Sequence, residues 1–214
     1  MGAQDPRTKF KDSDYKKQEQ ETPGYQYKMS PKPDCGEESY EGHGRLQDYK
    51  MLVTGGDSGI GRAAAIAYAK EGADVVLNYL PSEEQDAQEV KKVIEKAGRK
   101  AVLIPGDVRN EQFNYDLVKQ AYNELGGLDN ITLVAGHQQY HDDIHGFTTE
   151  QFAETFETNV YPIFWTAQAA TKYLKPGASI TTTSSVQGYK PAAILHDYAC
   201  LLYTSDAADE GLGV

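Results

Sequence analysis

The chain has 214 residues and a formal net charge of -11, with 32 acidic side chains against 21 lysines and arginines. That length suits one α/β domain with a tail, and the acidic balance excludes nucleic acid or an anionic membrane as the main partner, because phosphate surfaces select basic patches. Cys35 and Cys200 are far apart and lack zinc or Cys-x-x-Cys spacing, so neither a disulfide framework nor a metal centre is expected; no apolar run is long enough to span a bilayer, and the expected location is the cytoplasm.

Residues 1–48 are rich in Lys, Gln, Glu, Asp, Pro, Gly and Tyr and carry almost no aliphatic side chains to bury. They read as a polar, irregular extension rather than a domain. Its tyrosines, Tyr15, Tyr25, Tyr27 and Tyr40, could lie across the folded part, but a solvated arm is the expectation and no site is assigned to it.

From residue 49 onward, apolar strand-like runs alternate with helical patterns, which predicts a parallel sheet with helices on both faces. Strands are expected at 50–54, 74–79, 101–105, 131–135 and 179–183. Helices are expected at 61–71, 82–97, 110–125 and 149–173, with a last one starting near Asp197; Gly72, Gly98 and Gly126 mark helix ends. The aromatics Phe152, Phe156, Phe164 and Trp165 in the long helix read as packing residues.

The first strand and first helix enclose Thr54-Gly55-Gly56-Asp57-Ser58-Gly59-Ile60-Gly61. A glycine-rich turn that opens a helix presents backbone amides and the positive end of the helix dipole, which suits a diphosphate; glycines at 55, 59 and 61 would let it approach the backbone. An ordinary glycine-rich connection is the alternative reading of the motif alone.

Four further markers follow in order. Asp107-Val108 comes after the third strand and Ala135-Gly136 after the fourth; Asn159 sits in the long helix, and Ser185 precedes Tyr198 by thirteen residues. Together with the turn they resemble the short-chain dehydrogenase/reductase superfamily, over residues 49–199, and especially a bacterial subgroup with a long polar N-terminal extension, the general-stress or glucose-dehydrogenase-like oxidoreductases. Val134 departs from the family pattern, standing where asparagine is usual.

The resemblance implies a Rossmann-type, doubly wound parallel sheet and hydride transfer between NAD or NADP and a small alcohol or carbonyl substrate. Thr54, Gly55, Ser58, Gly59, Ile60, Gly61, Asp107, Val108, Ala135 and Gly136 would bind the cofactor, with Asn78 placed where its 2′ position would be read. Tyr198 would be the proton donor, Ser185 would align the substrate oxygen, and Asn159 would kink its helix and order a relay water. Family members commonly assemble as dimers or tetramers, so a homo-oligomer is expected. His137, His141 and His145, four residues apart beside Asp142 and Asp143, read as loop side chains over the cofactor rather than metal ligands.

In the family a lysine four residues after the tyrosine lowers the phenol's pKa and holds the nicotinamide ribose, and here that position is Leu202. Residues 200–210 resemble the translation of a transposase adapter, and 203–210 carry no helical periodicity. The expectation is therefore a sheet truncated after its fifth strand, a non-native tail at 200–214, and a chain nearly inactive as it stands. A non-catalytic nucleotide-binding or scaffolding protein of the same fold is the alternative.

Overall fold

The computed structural model describes residue 5 and residues 17–206, with side chains through residue 202; the expectations for Tyr15 and for the tail at 207–214 lie outside the described residues. Five strands, β1 (Lys50–Thr54), β2 (Asp74–Tyr79), β3 (Ala101–Pro105), β4 (Asn130–Leu133) and β5 (Ser179–Thr182), form one parallel sheet in the order β3-β2-β1-β4-β5. Among the described residues six α-helices accompany these strands: α1 (Gly59–Lys70), α2 (Glu84–Lys96), α3 (Glu111–Leu125), α4 (Thr149–Asn159), α5 (Tyr161–Ala170) and α6 (His196–Asp206).

Strand side chains alternate between faces, and the central strand β1 shows why both faces need a helical cover. Met51 and Val53 pack with Ala65, Ile66, Val90 and Ile94 of α1 and α2. Leu52 joins Leu117, Val118 and Ala121 of α3 and Ala169 and Ala170 at the end of α5 on the other face. In register, Leu52 lies between Val76 and Ile131, so β1 is apolar on every side. Gly72, Gly98 and Gly126 follow helix ends with φ of 103°, 77° and 70°.

Five expectations are corrected. The helix foreseen at 149–173 is two helices, broken at Val160 (φ -110°, ψ -53°), because Pro162 has no amide to donate to the carbonyl four residues earlier. β4 ends at Leu133 and β5 at Thr182, one to two residues before the predicted 135 and 183. Helix α6 continues through Asp206 although 203–210 carry no helical pattern; Ala199, Leu201 and Leu202 are buried where it packs on α4 and on the 3-10 turn Val186–Gly188. Phe164, expected to pack, is 61% exposed.

The fifth correction concerns the arm, which lies along α1 from end to end instead of standing in solvent. Gln26 meets Gly59 at the helix start, Lys70 Nζ donates to the carbonyls of Glu37 and Tyr40 (2.8 Å each), and Arg45 clasps Glu71 at the helix end (2.6 Å). Arg45 and Tyr40 hold the Glu71 carboxyl well below the usual carboxylate range. A polar segment can dock in this way because its side chains and amides answer the charged groups of α1 and α2 one by one.

Candidate active site

Strand order reverses between β1 and β4, and the carboxyl ends of those two strands open a crevice where ligands of open α/β sheets bind. A cavity of about 90 Å³ lies there, lined by Thr54, Leu133–Gly136, Asn159, Ser184, Tyr198 and Leu202 among others. Four of the sequence-predicted positions, Thr54, Ala135, Gly136 and Asn159, thus share a wall with Tyr198.

The glycines of the turn divide by role. A Cβ on Gly61 would lie 2.0 Å from the Gly55 carbonyl oxygen, so Gly61 is required by the chain's own fold at that corner. Gly59 differs: at φ +52° its Cβ direction is empty for 4 Å, which leaves the opening of α1 accessible to a diphosphate. Ile60, next to it, is 66% exposed. Residues and open space at the turn therefore fit the phosphates of a dinucleotide.

Thr54 is 2% exposed, and its hydroxyl oxygen accepts from the amides of Val134 (3.1 Å) and Ala135 (3.2 Å), tying the end of β1 to the loop after β4. Asn159 closes the same loop from the other side. Its Oδ1 accepts from the His137 amide (3.0 Å), and its Nδ2 donates to the carbonyls of His137 and Thr155 (2.7 Å each). A Cβ on Gly136 would lie 3.0 Å from that Oδ1, so a side chain there would press on the clasp.

Asn78 sits at the end of β2 as foreseen, but it is 1% exposed and its Nδ2 donates to the carbonyls of Ile104 (3.2 Å) and Gly106 (3.0 Å). That amide joins β2 to the end of β3. Asp107 is half-exposed beyond β3; burial would raise its pKa, and the Arg109 guanidinium at 2.7 Å outweighs that and lowers it. Val108 is buried in the same corner, its carbonyl accepting from Asn114 Nδ2 at 2.7 Å.

Beyond β5, Ser185 is half-buried and its Oγ accepts from the Gln187 amide at 3.3 Å, capping the short turn Val186–Gly188. Tyr198 is half-buried on α6. Beside it, Asp197 is fully buried; one carboxylate oxygen accepts from the Thr155 hydroxyl on α4, and the other has no hydrogen-bond partner among the described residues. Leu202 is 3% exposed and presents an apolar wall to the cavity. The histidines diverge: His137 meets Gln139 at 2.8 Å, His141 is buried against Phe147, and His145 is exposed in a 3-10 turn.

Beneath the turn lies a charged cluster that sequence reasoning did not foresee. Arg62 is 2% exposed, with its guanidinium 2.7 Å from Glu37, 3.4 Å from Glu89 and 3.9 Å from Asp86. Burial raises the pKa of Asp57 and of Asp86. Burial, reinforced by the nearby charge of Asp57, pushes Glu83 up to about 7. The available signal was the arginine in the first turn of α1, a position where a cation opposes the helix dipole unless acids surround it.

A parallel sheet that reverses its order at β1 and β4, with a glycine-rich turn on β1 and a tyrosine-bearing helix over the crevice, defines a protein of the Rossmann class. The sequence profile of the short chain dehydrogenases matches residues 50–200, and the chain belongs to that family. It is 60% identical over 195 residues to the oxidoreductase YghA of Escherichia coli, covering 91% of this chain and 66% of that one. It is 44% identical to general stress protein 39 of Bacillus subtilis, covering 82% and 61%. The chain thus spans about two thirds of the length of these relatives. Among solved structures, a short chain dehydrogenase from Burkholderia cenocepacia in complex with NADP aligns with a TM-score of 0.72 and 33% identity, over 78% of this chain and 68% of that one. Carveol dehydrogenase from Mycobacterium avium, solved with NAD, shares the fold at a TM-score of 0.71 and 24% identity, over 78% and 65%.

Proposed function

We propose that the protein is an NAD- or NADP-dependent oxidoreductase acting on a small alcohol or carbonyl compound. The observation that carries this reading is the placement of Tyr198 in the same cavity as Thr54 and Gly136, at the point where strand order reverses. The complexes of the related dehydrogenases with NADP and with NAD support the choice of cofactor. When bound, the nicotinamide supplies or accepts the hydride.

The chain's own residues divide the remaining work. Amides at Ile60 and Gly61 hold the diphosphate at the start of α1. Thr54 and Asn159 fix the loop 134–137 over the crevice through the bonds they make to its backbone. Tyr198 donates a proton to the substrate oxygen in reduction and accepts it in oxidation, while the Ser185 hydroxyl orients that oxygen. Leu202 offers no cation to the phenol or to a ribose hydroxyl, so this chain binds nucleotide far better than it turns substrate over. The exposed aromatics Tyr161 (45%) and Phe164 (61%) on α5 supply an apolar face for pairing with a second copy.

Calorimetry with NADH and NADPH, and nicotinamide absorbance with a panel of alcohols and aldehydes, test the reading on the chain and on Leu202→Lys. Binding by both, with turnover appearing in the lysine variant, is expected. Binding without turnover by any variant would assign the protein to the non-catalytic alternative, and absence of binding would overturn the reading.

A further inference from the structure

Helix α1 begins without help from its own N-cap, since Ser58 makes no side-chain cap bond. The Arg62 amide is the first to return to the helix, donating to the Ser58 carbonyl at 3.0 Å, so the amides before it need outside acceptors. One of them has an acceptor from far along the chain: the Gly59 amide donates to Gln26 Oε1 at 2.8 Å. Gln26 belongs to the arm and is 4% exposed.

The carboxamide of Gln26 is held from every side. Its backbone amide and that of Tyr27 donate to the two oxygens of Asp86, at 2.8 and 2.9 Å, and Asp86 is fully buried on α2. Its Nε2 donates to Cys35 Sγ at 3.3 Å, which decides that the oxygen end of the amide faces Gly59. On its Gly59 side the peptide it grips has no bracing side chain, because Gly59 lies at φ +52° with its Cβ direction open among the described residues. The orientation of that peptide sets how the next two amides, at Ile60 and Gly61, leave the turn.

Building on the dinucleotide reading above, we propose that Gln26 is a positioning residue of the cofactor site. Through it the arm, otherwise remote from the chemistry, holds the Ser58–Gly59 peptide so that the following amides meet a diphosphate.

The test measures NADH and NADPH affinity by calorimetry and melting temperature for the unmodified chain, Gln26→Leu, Gln26→Asn and Arg45→Ala. Arg45 anchors the far end of the arm on Glu71 and takes no part in the turn. Loss of the Gly59 bond in the leucine variant should weaken both nucleotides about tenfold, the effect of one hydrogen bond. Gln26→Asn keeps the main-chain bonds to Asp86 but shortens the side chain by one methylene, and should fold and show the same weakening with faster exchange of the Gly59 amide. Arg45→Ala should lower the melting temperature and leave affinity within about twofold. Unchanged affinity in the Gln26 variants, or losses that merely track melting temperature across all three substitutions, would overturn the proposal. No binding by the unmodified chain would instead sink the dinucleotide reading itself.

Discussion

The two sides of the sheet hold their functional residues by opposite means. Around β1 and β2, position follows from packing: Leu52, Val53, Val75, Val76 and Leu77 are fully buried, α1 and α2 close over them, and the arm braces the turn from outside. Beyond β4, β5 is exposed at each of its four residues, and the loop over the crevice hangs on single side-chain bonds such as those of Asn159 and Thr54. A site built by packing spreads its support over many contacts and a few buried polar anchors, whereas a site built from individual bonds can be dismantled residue by residue. Under the function proposed above, the first arrangement suits a part that holds an unvarying diphosphate, and the second leaves adaptable a part that meets the substrate.

The largest expected effect breaks the packed side at its charged centre. Arg62→Leu leaves the buried Asp86 and its neighbour Glu37 without their cation and leaves Glu89 with Lys32 alone, and should lower global stability by about 3–5 kcal/mol in urea denaturation. A loss below about 1 kcal/mol would mean that the arm and α2 do not depend on this cluster. Next, Gly61→Ala drives a methyl into the Gly55 carbonyl and should cost roughly 2–3 kcal/mol, with loss of nucleotide binding. Retained affinity would show that the corner can open without consequence.

On the other side, Asn159→Ala should cost only ~1–2 kcal/mol, but amide exchange at His137 should quicken while residues of β1 and β2 keep their protection. Uniform acceleration across the sheet would erase the contrast between the two sides. The smallest effect is a pH dependence from Glu83, whose carboxyl is raised from 4.5 to about 7 in the folded chain. The folded state then binds more protons than the unfolded one between those values, so the contribution of Glu83 to stability is present at low pH and is lost as pH rises toward 7. After solvent screening the slope should amount to about 1 kcal/mol, and Glu83→Gln should flatten it. A wild-type profile unchanged by that substitution would place the acid in water.

Local pattern located the elements well because their signals lie within a few neighbouring residues. The strands at 50–54, 74–79 and 101–105 coincide with β1, β2 and β3, whose apolar runs are bounded by polar and turn residues. At Asn159 the family resemblance implies a kink, but the full break at Val160 lies beyond the local pattern, because apolar residues run through it on both sides. Asn78 was placed at the right end of β2, yet which way its amide faces depends on the Ile104 and Gly106 carbonyls, which only strand pairing brings near. Leu202 stands in the sequence where the family carries a lysine, and only the cavity shows it as an apolar wall.

From the residues alone came the alternation of strands and helices, the glycine-rich corner, and the order of Asn159, Ser185 and Tyr198 along the chain. Those features are written in spacing and side-chain type, which act over one or two turns of backbone. Folding decided the rest: that Gln26 reaches Gly59, that Arg62 draws three acids beneath the turn, and that a polar arm becomes part of the domain. Such bonds join residues 24 to 33 positions apart, and their strength depends on burial and distance, which exist only once the sheet has brought its helices together.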